Sequence, residues 1–135
     1  MTIRVVQKPE NVPLQDLLDV MHKAHDAAKT DKLNFPVLTL EKLSKLVDTG
    51  SVCFVAMDED TVVGTIVCEP QIIDKWYAKG NVMAWRGIAV LPEYKGHHIA
   101  RQLYDAAVEY AKTQNVEICY MTMSEFNEHH LHVAT

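Results

Sequence analysis

The spacing of apolar and polar positions along the chain changes several times, and each change marks an element. Residues 2–7 (TIRVVQ) alternate weakly and are β-branched, the pattern of a strand. Pro9 and Pro13 punctuate the loop that follows. From Leu14 the apolar stripe runs Leu14, Leu17, Leu18, Met21, Ala24, His25 and Ala28, the 3-4-3 spacing of a helix. After a loop with Asn34 and Pro36, Thr39 is an N-cap residue for a short helix on Leu40, Leu43, Leu46 and Val47, closed by Gly50. Residues 51–57 and 61–68 are β-rich runs separated by Asp58-Glu59-Asp60, which spells a hairpin. A polar insert spans 69–79, and its Trp76-Tyr77 pair is either a core plug or part of a substrate wall. Residues 81–90 form the next strand, with Arg86-Gly87 in its middle, where a glycine implies a bulge or a close backbone approach. Ile99, Leu103, Ala106, Ala107 and Tyr110 then mark an amphipathic helix to about Gln114. Residues 116–123 form a last strand, and Ser124 can cap a short helix after it.

The order β-α-α-β-β-β-α-β-α contains one late strand–helix–strand unit, whose right-handed crossover makes its strands parallel beside an antiparallel meander. The expected class is α/β, a mixed and mostly antiparallel central sheet with helices on both faces. The 135 residues suit a single domain, 1–135, large enough for one core. A formal charge of −5 argues against sequence-independent nucleic-acid binding, which needs a surplus of Lys and Arg, and mildly favours a cationic substrate such as an amine. Cys53, Cys68 and Cys119 each sit in an apolar run with no CxxC spacing, so they read as small buried hydrophobes in a reduced compartment. The start MTIRVVQK lacks an apolar leader core, and no run of about 18 apolar residues occurs. The expectation is a cytoplasmic protein with no membrane partner.

Chemistry concentrates in GIAVLPEYKGHHIARQLYDAAVEYAK, residues 87–112. It reads as a strand, a tight turn with Pro92 and Gly96, and a helix whose first turn is His97 to Ala100. A helix N-terminus exposes unpaired N–H groups and a partial positive charge. Gly96 permits close backbone approach, and Lys95 adds a mobile cation, so the turn is a candidate pyrophosphate cradle.

The same stretch resembles the acetyl-CoA motif of the GNAT acetyltransferase superfamily: a hydrophobic-Ala-Val strand, Pro-x-Tyr-Lys-Gly, and a loop Lys95-Gly96-His97-His98-Ile99-Ala100 opening a long helix. The resemblance covers the chain from Thr2 to about Asn127. It implies that Ile88, Ala89 and Val90 pair with pantetheine, that Lys95, Gly96, His97, His98, Ile99 and Ala100 hold the pyrophosphate, and that Asn127 meets the cofactor. Acetyl-CoA is then the co-substrate, and no metal is expected. Two positions depart from the family pattern. His98 stands where the loop has its central glycine. Ala134 stands where the family carries the tyrosine that protonates the leaving thiolate, and the usual last two strands are expected to be lacking.

Other residues invite rival chemistry. His129, His130 and His132 could hold a metal, but catalytic zinc sites usually add a distant ligand, so these read as a solvated or interface tail. His22, His25, Glu69 and Glu93 are possible general bases. Glu69, at the end of the third strand, would face the acceptor end of the cleft; a solvated strand-end carboxylate is the plainer reading. Tyr120 could replace the missing acid, or simply belong to the core. The expected activity is direct transfer of acetyl to a primary amine of a small molecule or peptide. The alternative is a non-catalytic acyl-CoA-binding or interaction module. An unpaired edge on the last strand, rich in Val, Ile, Cys, Tyr and Met, leads to the expectation of a homodimer through that edge.

Overall fold

The structure, a computed structural model, describes residues 3–28, 38–76, 78–116 and 118–120. Its elements run β1 (Ile3–Gln7), α1 (Leu14–Ala28), α2 (Leu40–Asp48), β2 (Val52–Asp58), β3 (Thr61–Lys75), β4 (Ala78–Val90), a 3-10 turn (Pro92–Tyr94), α3 (Ile99–Thr113) and β5 (Ile118–Tyr120). The sheet order is β1-β2-β3-β4-β5. The first four strands are antiparallel neighbours, and β5 joins β4 in parallel after the α3 crossover. This is the mixed sheet implied by the sequence, in the expected order through the last strand. The helix expected after Ser124, and everything bearing on two further strands, lies outside the described residues.

Helices cover both faces of the sheet. Trp85 lays its ring 5.4 Å from that of Tyr104 on α3, whereas its neighbour Arg86 faces a pocket walled by α2, as the alternation of side chains along a strand requires. The stripes do the packing. Leu17 of α1, Leu43 of α2 and Leu103 of α3 are fully buried, each contributing roughly 2 kcal/mol by removal from water. Gly64 lets α3 come close: a Cβ there would lie 3.1 Å from both Ile99 Cγ2 and Leu103 Cδ1. The Thr39 hydroxyl accepts from the Lys42 N–H at 3.2 Å, so the N-cap of α2 is where the sequence puts it.

The polar insert is strand, not loop. β3 continues to Lys75 and β4 begins at Ala78, paired in register from Glu69↔Ala84 to Lys75↔Ala78. The outer part of this ribbon meets solvent and its composition is polar; Ile72 is 82 % exposed and Trp76 94 % exposed, whereas Val82, Met83 and Ala84 at its base are buried. Trp76 is therefore no core plug. Tyr77 lies outside the described residues.

The feature on which the rest turns is in the middle of β4. Thr65 pairs with Ala89 and Val67 with Arg86, so β4 advances three residues where β3 advances two. Gly87 takes the left-handed conformation at this bulge, φ +58°, as the sequence position of a strand glycine implied. The carbonyl turned away by the bulge accepts a 2.7 Å hydrogen bond from the hydroxyl of Thr65, which is fully buried. A Cβ on Gly87 would stand 2.6 Å from Met21 Cε and 3.3 Å from Leu38 Cδ1. The Met21 methyl can move aside, so the left-handed backbone is the larger penalty. Gly87→Ala should lower stability by about 1–2 kcal/mol, a fall in Tm of roughly 5 °C, measured by thermal unfolding. An unchanged Tm would mean that the bulge does not depend on glycine.

Candidate active site

Beyond the bulge, β4 runs on through Ile88, Ala89 and Val90. β5 pairs with β4 only at Val82, Ala84 and Met83 between them among the described residues. Residues 85–90 therefore have β3 on one side and no described strand on the other. Among the described residues no strand pairs with the backbone N–H and C=O groups on that outer side, the kind of edge an extended ligand such as pantetheine can pair with. Ala89 is buried, and Ile88 and Val90 are half-buried against the core.

The chain leaves β4 by a fastened turn. The Leu91 N–H donates to Val63 O at 2.9 Å, and the Tyr94 N–H to Leu91 O at 2.9 Å. The Tyr94 hydroxyl donates to Asp58 Oδ2 at 2.6 Å, tying the turn to the β2–β3 hairpin. That bond raises the Tyr94 hydroxyl above its ordinary pKa, so it stays a donor at neutral pH. Gly96 (φ +89°) and His98 (φ +58°) then turn the backbone into α3. His98 is the N-cap residue, and its side chain makes no cap hydrogen bond. The N–H groups of residues 96–100 have no backbone partner among the described residues. The space beside Gly96 is open, since no described residue lies within 4 Å of a Cβ placed on it. Lys95, His97 and His98 are exposed around these amides. Unpaired amides at the positive end of α3, with a lysine beside them, form an anion cradle. Ile99 contributes only its amide, since its side chain is buried against Gly64.

A pocket of about 330 Å³ opens on the other face, beside the bulge. Leu38, Lys42, Lys45, Leu46 and Thr49 wall it from α2 and its approach, and Glu69 and Arg86 from the strands. Arg86 forks onto Glu69, Nε to Oε2 at 3.3 Å and Nη2 to Oε1 at 3.3 Å, and the Gln71 amide also donates to Oε1. Glu69 is thus fixed in a pocket wall instead of waving from a strand end. Sequence reasoning missed Arg86, Lys42 and Lys45; the spacing 42, 45, 46, 49 along one helix face was the available signal. A second cavity, about 280 Å³, carries Asp16, Asp19 and Asp60. With Lys23 its only cation, its three carboxylates leave it net acidic and ill-suited to a phosphate.

The remaining candidates scatter. Tyr120 lies on β5 in register with Ala84; Asn127, His129, His130 and His132 lie outside the described residues. His22 is exposed on α1, and Glu93 is exposed in the turn. Burial pushes the Cys53 thiol up to about 11 and Cys68 up to about 12, so neither is a thiolate nucleophile at neutral pH. Cys119 is also raised by burial. Among the described residues no cluster of three or more His, Cys, Asp or Glu is placed to hold a metal ion, and no helix is long and apolar enough to cross a membrane.

Solved structures share the fold. The aminoglycoside acetyltransferase AAC(6')-Iy, in complex with a CoA-linked bisubstrate analogue, superposes with a TM-score of 0.74 at 16% identity, covering 98% of this chain and 87% of that one. An aminoglycoside acetyltransferase from an uncultured soil metagenomic sample, in complex with trehalose, gives 0.71 at 18% identity, covering 96% and 83%. Glucosamine-6-phosphate N-acetyltransferase from Arabidopsis thaliana gives 0.67 at 11% identity, covering 98% and 89%. No curated protein sequence matches the chain. The model of the acetyltransferase (GNAT) family matches residues 14–134, spanning the bulged strand, the loop and α3, and the chain belongs to that family.

Proposed function

We propose that the protein is an N-acetyltransferase that moves acetyl from acetyl-CoA directly to a primary amine. The observation that carries this is the row of unpartnered amides at 96–100, set at the end of a bulged strand whose outer side has no described strand. In this reading residues 95–100 hold the pyrophosphate and Ile88, Ala89 and Val90 pair with pantetheine, bringing the thioester to the level of the bulge. The amine nitrogen attacks the thioester carbonyl carbon, the C–S bond breaks, and the products are an amide and CoA thiol. A β4 amide polarises the carbonyl, and positioning supplies most of the rate. Glu69 engages the acceptor ammonium and takes its proton, directly or through a water. Tyr120 is the proposed donor to the leaving thiolate, and Asn127 a further cofactor contact.

Thiol release from acetyl-CoA, followed across a panel of small primary amines, tests the reaction. Turnover with at least one amine is expected. Saturable acetyl-CoA binding with no turnover on any amine would make the protein an acyl-CoA-binding module instead. Glu69→Gln should cut kcat at least tenfold, within the range of general-base effects, with acetyl-CoA affinity retained; full activity in that variant would remove Glu69 from the mechanism.

The loop makes a sharper claim about the cofactor alone. Gly96→Val should weaken acetyl-CoA at least tenfold, about 1.4 kcal/mol by calorimetry, because it strains a positive φ and fills the open space before the amides. His98→Gly should bind as well as the parent or better, and should raise Tm, since it frees a non-glycine residue from the left-handed region. Normal binding by the Gly96 variant would assign phosphate contact elsewhere, whereas a large loss in the His98 variant would mean that the imidazole itself contacts phosphate.

Pairing of two copies through the β5 edge completes the proposal. Among the described residues β5 is the last strand of the sheet. Sedimentation at micromolar concentration should report a homodimer, and a monomer of the 15.3 kDa chain mass would refute it.

A further inference from the structure

The pocket beside Glu69 has a charge that a simple amine does not explain. Lys42, Lys45 and Arg86 supply three cations, and Glu69 supplies one carboxylate. Arg86 already forks onto Glu69. Lys42 and Lys45 have no carboxylate partner among the described residues. The pocket therefore carries an excess of two positive charges in a protein whose formal net charge is −5. An uncommitted basic pocket on an acidic chain is a local arrangement, not a reflection of composition. The geometry of α2 makes it: Lys42, Lys45 and Thr49 fall on the same side as the apolar Leu46, and that side forms the pocket wall.

An acceptor amine enters as an ammonium, and two unpaired lysines repel it. The repulsion becomes attraction if the same molecule carries an anion at its far end. We infer that the acceptor is a small primary amine bearing a carboxylate or phosphate group, with Lys42 and Lys45 holding the anion and Glu69 receiving the ammonium. This rests on the acetyltransferase reading above and names its substrate class. Leu38 and Leu46 add apolar lining to the pocket, suited to a short carbon spacer. About 330 Å³ admits a molecule the size of an amino acid or a phosphorylated amino alcohol and not a folded peptide. A lysine ammonium binds either anion as a point charge, so the two sources are separated by experiment. The acidic net charge had pointed the other way, toward cationic substrates; local charge overrides it.

Two measurements test the inference on the full chain. In the first, acetyl-CoA thiol release is compared within matched amines: 5-aminopentanoate, pentylamine and 1,5-diaminopentane, then phosphoethanolamine and ethanolamine. An anionic member should exceed its neutral counterpart at least tenfold in kcat/KM, and the better of the two anionic amines identifies carboxylate or phosphate as the preferred group. The double variant Lys42→Gln/Lys45→Gln, which keeps good helix formers on an exposed face, should bring that ratio close to one while acetyl-CoA affinity stays at the parent value. Equal or better use of the neutral or dicationic amines, or a ratio unchanged in the variant, would overturn it. In the second, amide resonances are followed as inorganic phosphate, and separately acetate, is titrated. Saturable shifts at residues 42–49 and Arg86, separate from any that phosphate causes at 95–100 and lost in the double variant, are expected. No shift there with either anion would remove the anion site whatever the turnover assay shows. Anion binding with no turnover on any amine would instead sink the acetyltransferase reading and leave the site.

Discussion

A single extra residue in β4, accommodated at Gly87, sets the geometry of everything around it. The bulge needs a positive φ, and glycine supplies it without the crowding of a Cβ. It turns one carbonyl out of the β3–β4 ladder, and the buried Thr65 hydroxyl donates to that partly buried carbonyl. Loss of such a hydrogen bond costs about 1 kcal/mol, so Thr65 and Gly87 support one another. The close approach of Met21 and Leu38 to Gly87 shows that α1 and the segment leading into α2 are packed directly onto the bulge. A side chain there would push them off.

The bulge also separates two sets of residues that the proposed acetyl transfer would bring together. After it, Ile88, Ala89 and Val90 lead to the turn and the unpaired amides of α3. Before it, Arg86 points into the α2 pocket and holds Glu69. The proposed cofactor cradle is fastened from below, through Tyr94 to Asp58 and through Ile99 against Gly64. The pocket is fastened by α2, whose Leu43 is fully buried. Two rigid supports thus meet at one strand, where the thioester and the amine are proposed to react.

Much of this was legible in the sequence because it is written in local patterns. The 3-4 spacings of α1, α2 and α3, the Thr39 cap, the Arg86-Gly87 irregularity and the Lys95–Ala100 turn all depend on residues close in the chain. What escaped depends on residues far apart. Thr65 and Gly87 are 22 positions apart, and Asp58 and Tyr94 are 36 apart. The pocket joins Lys42 and Lys45 to Glu69 and Arg86 only after α2 lies on the sheet. The ribbon beyond Glu69 was missed for a different reason. Its described outer residues Ile72, Asp74 and Trp76 are exposed and impose no alternation, so the segment resembles a loop although it pairs in register with β4.

The central claim is that one continuous track, from the bulge in β4 to the first turn of α3, holds acetyl-CoA through main-chain groups. Amide chemical-shift mapping during an acetyl-CoA titration reads those groups directly. Saturable shifts at Ile88, Val90 and residues 96–100, with β1 and β2 unmoved, are what the account requires. Shifts confined to another surface, or none at millimolar acetyl-CoA, would contradict it.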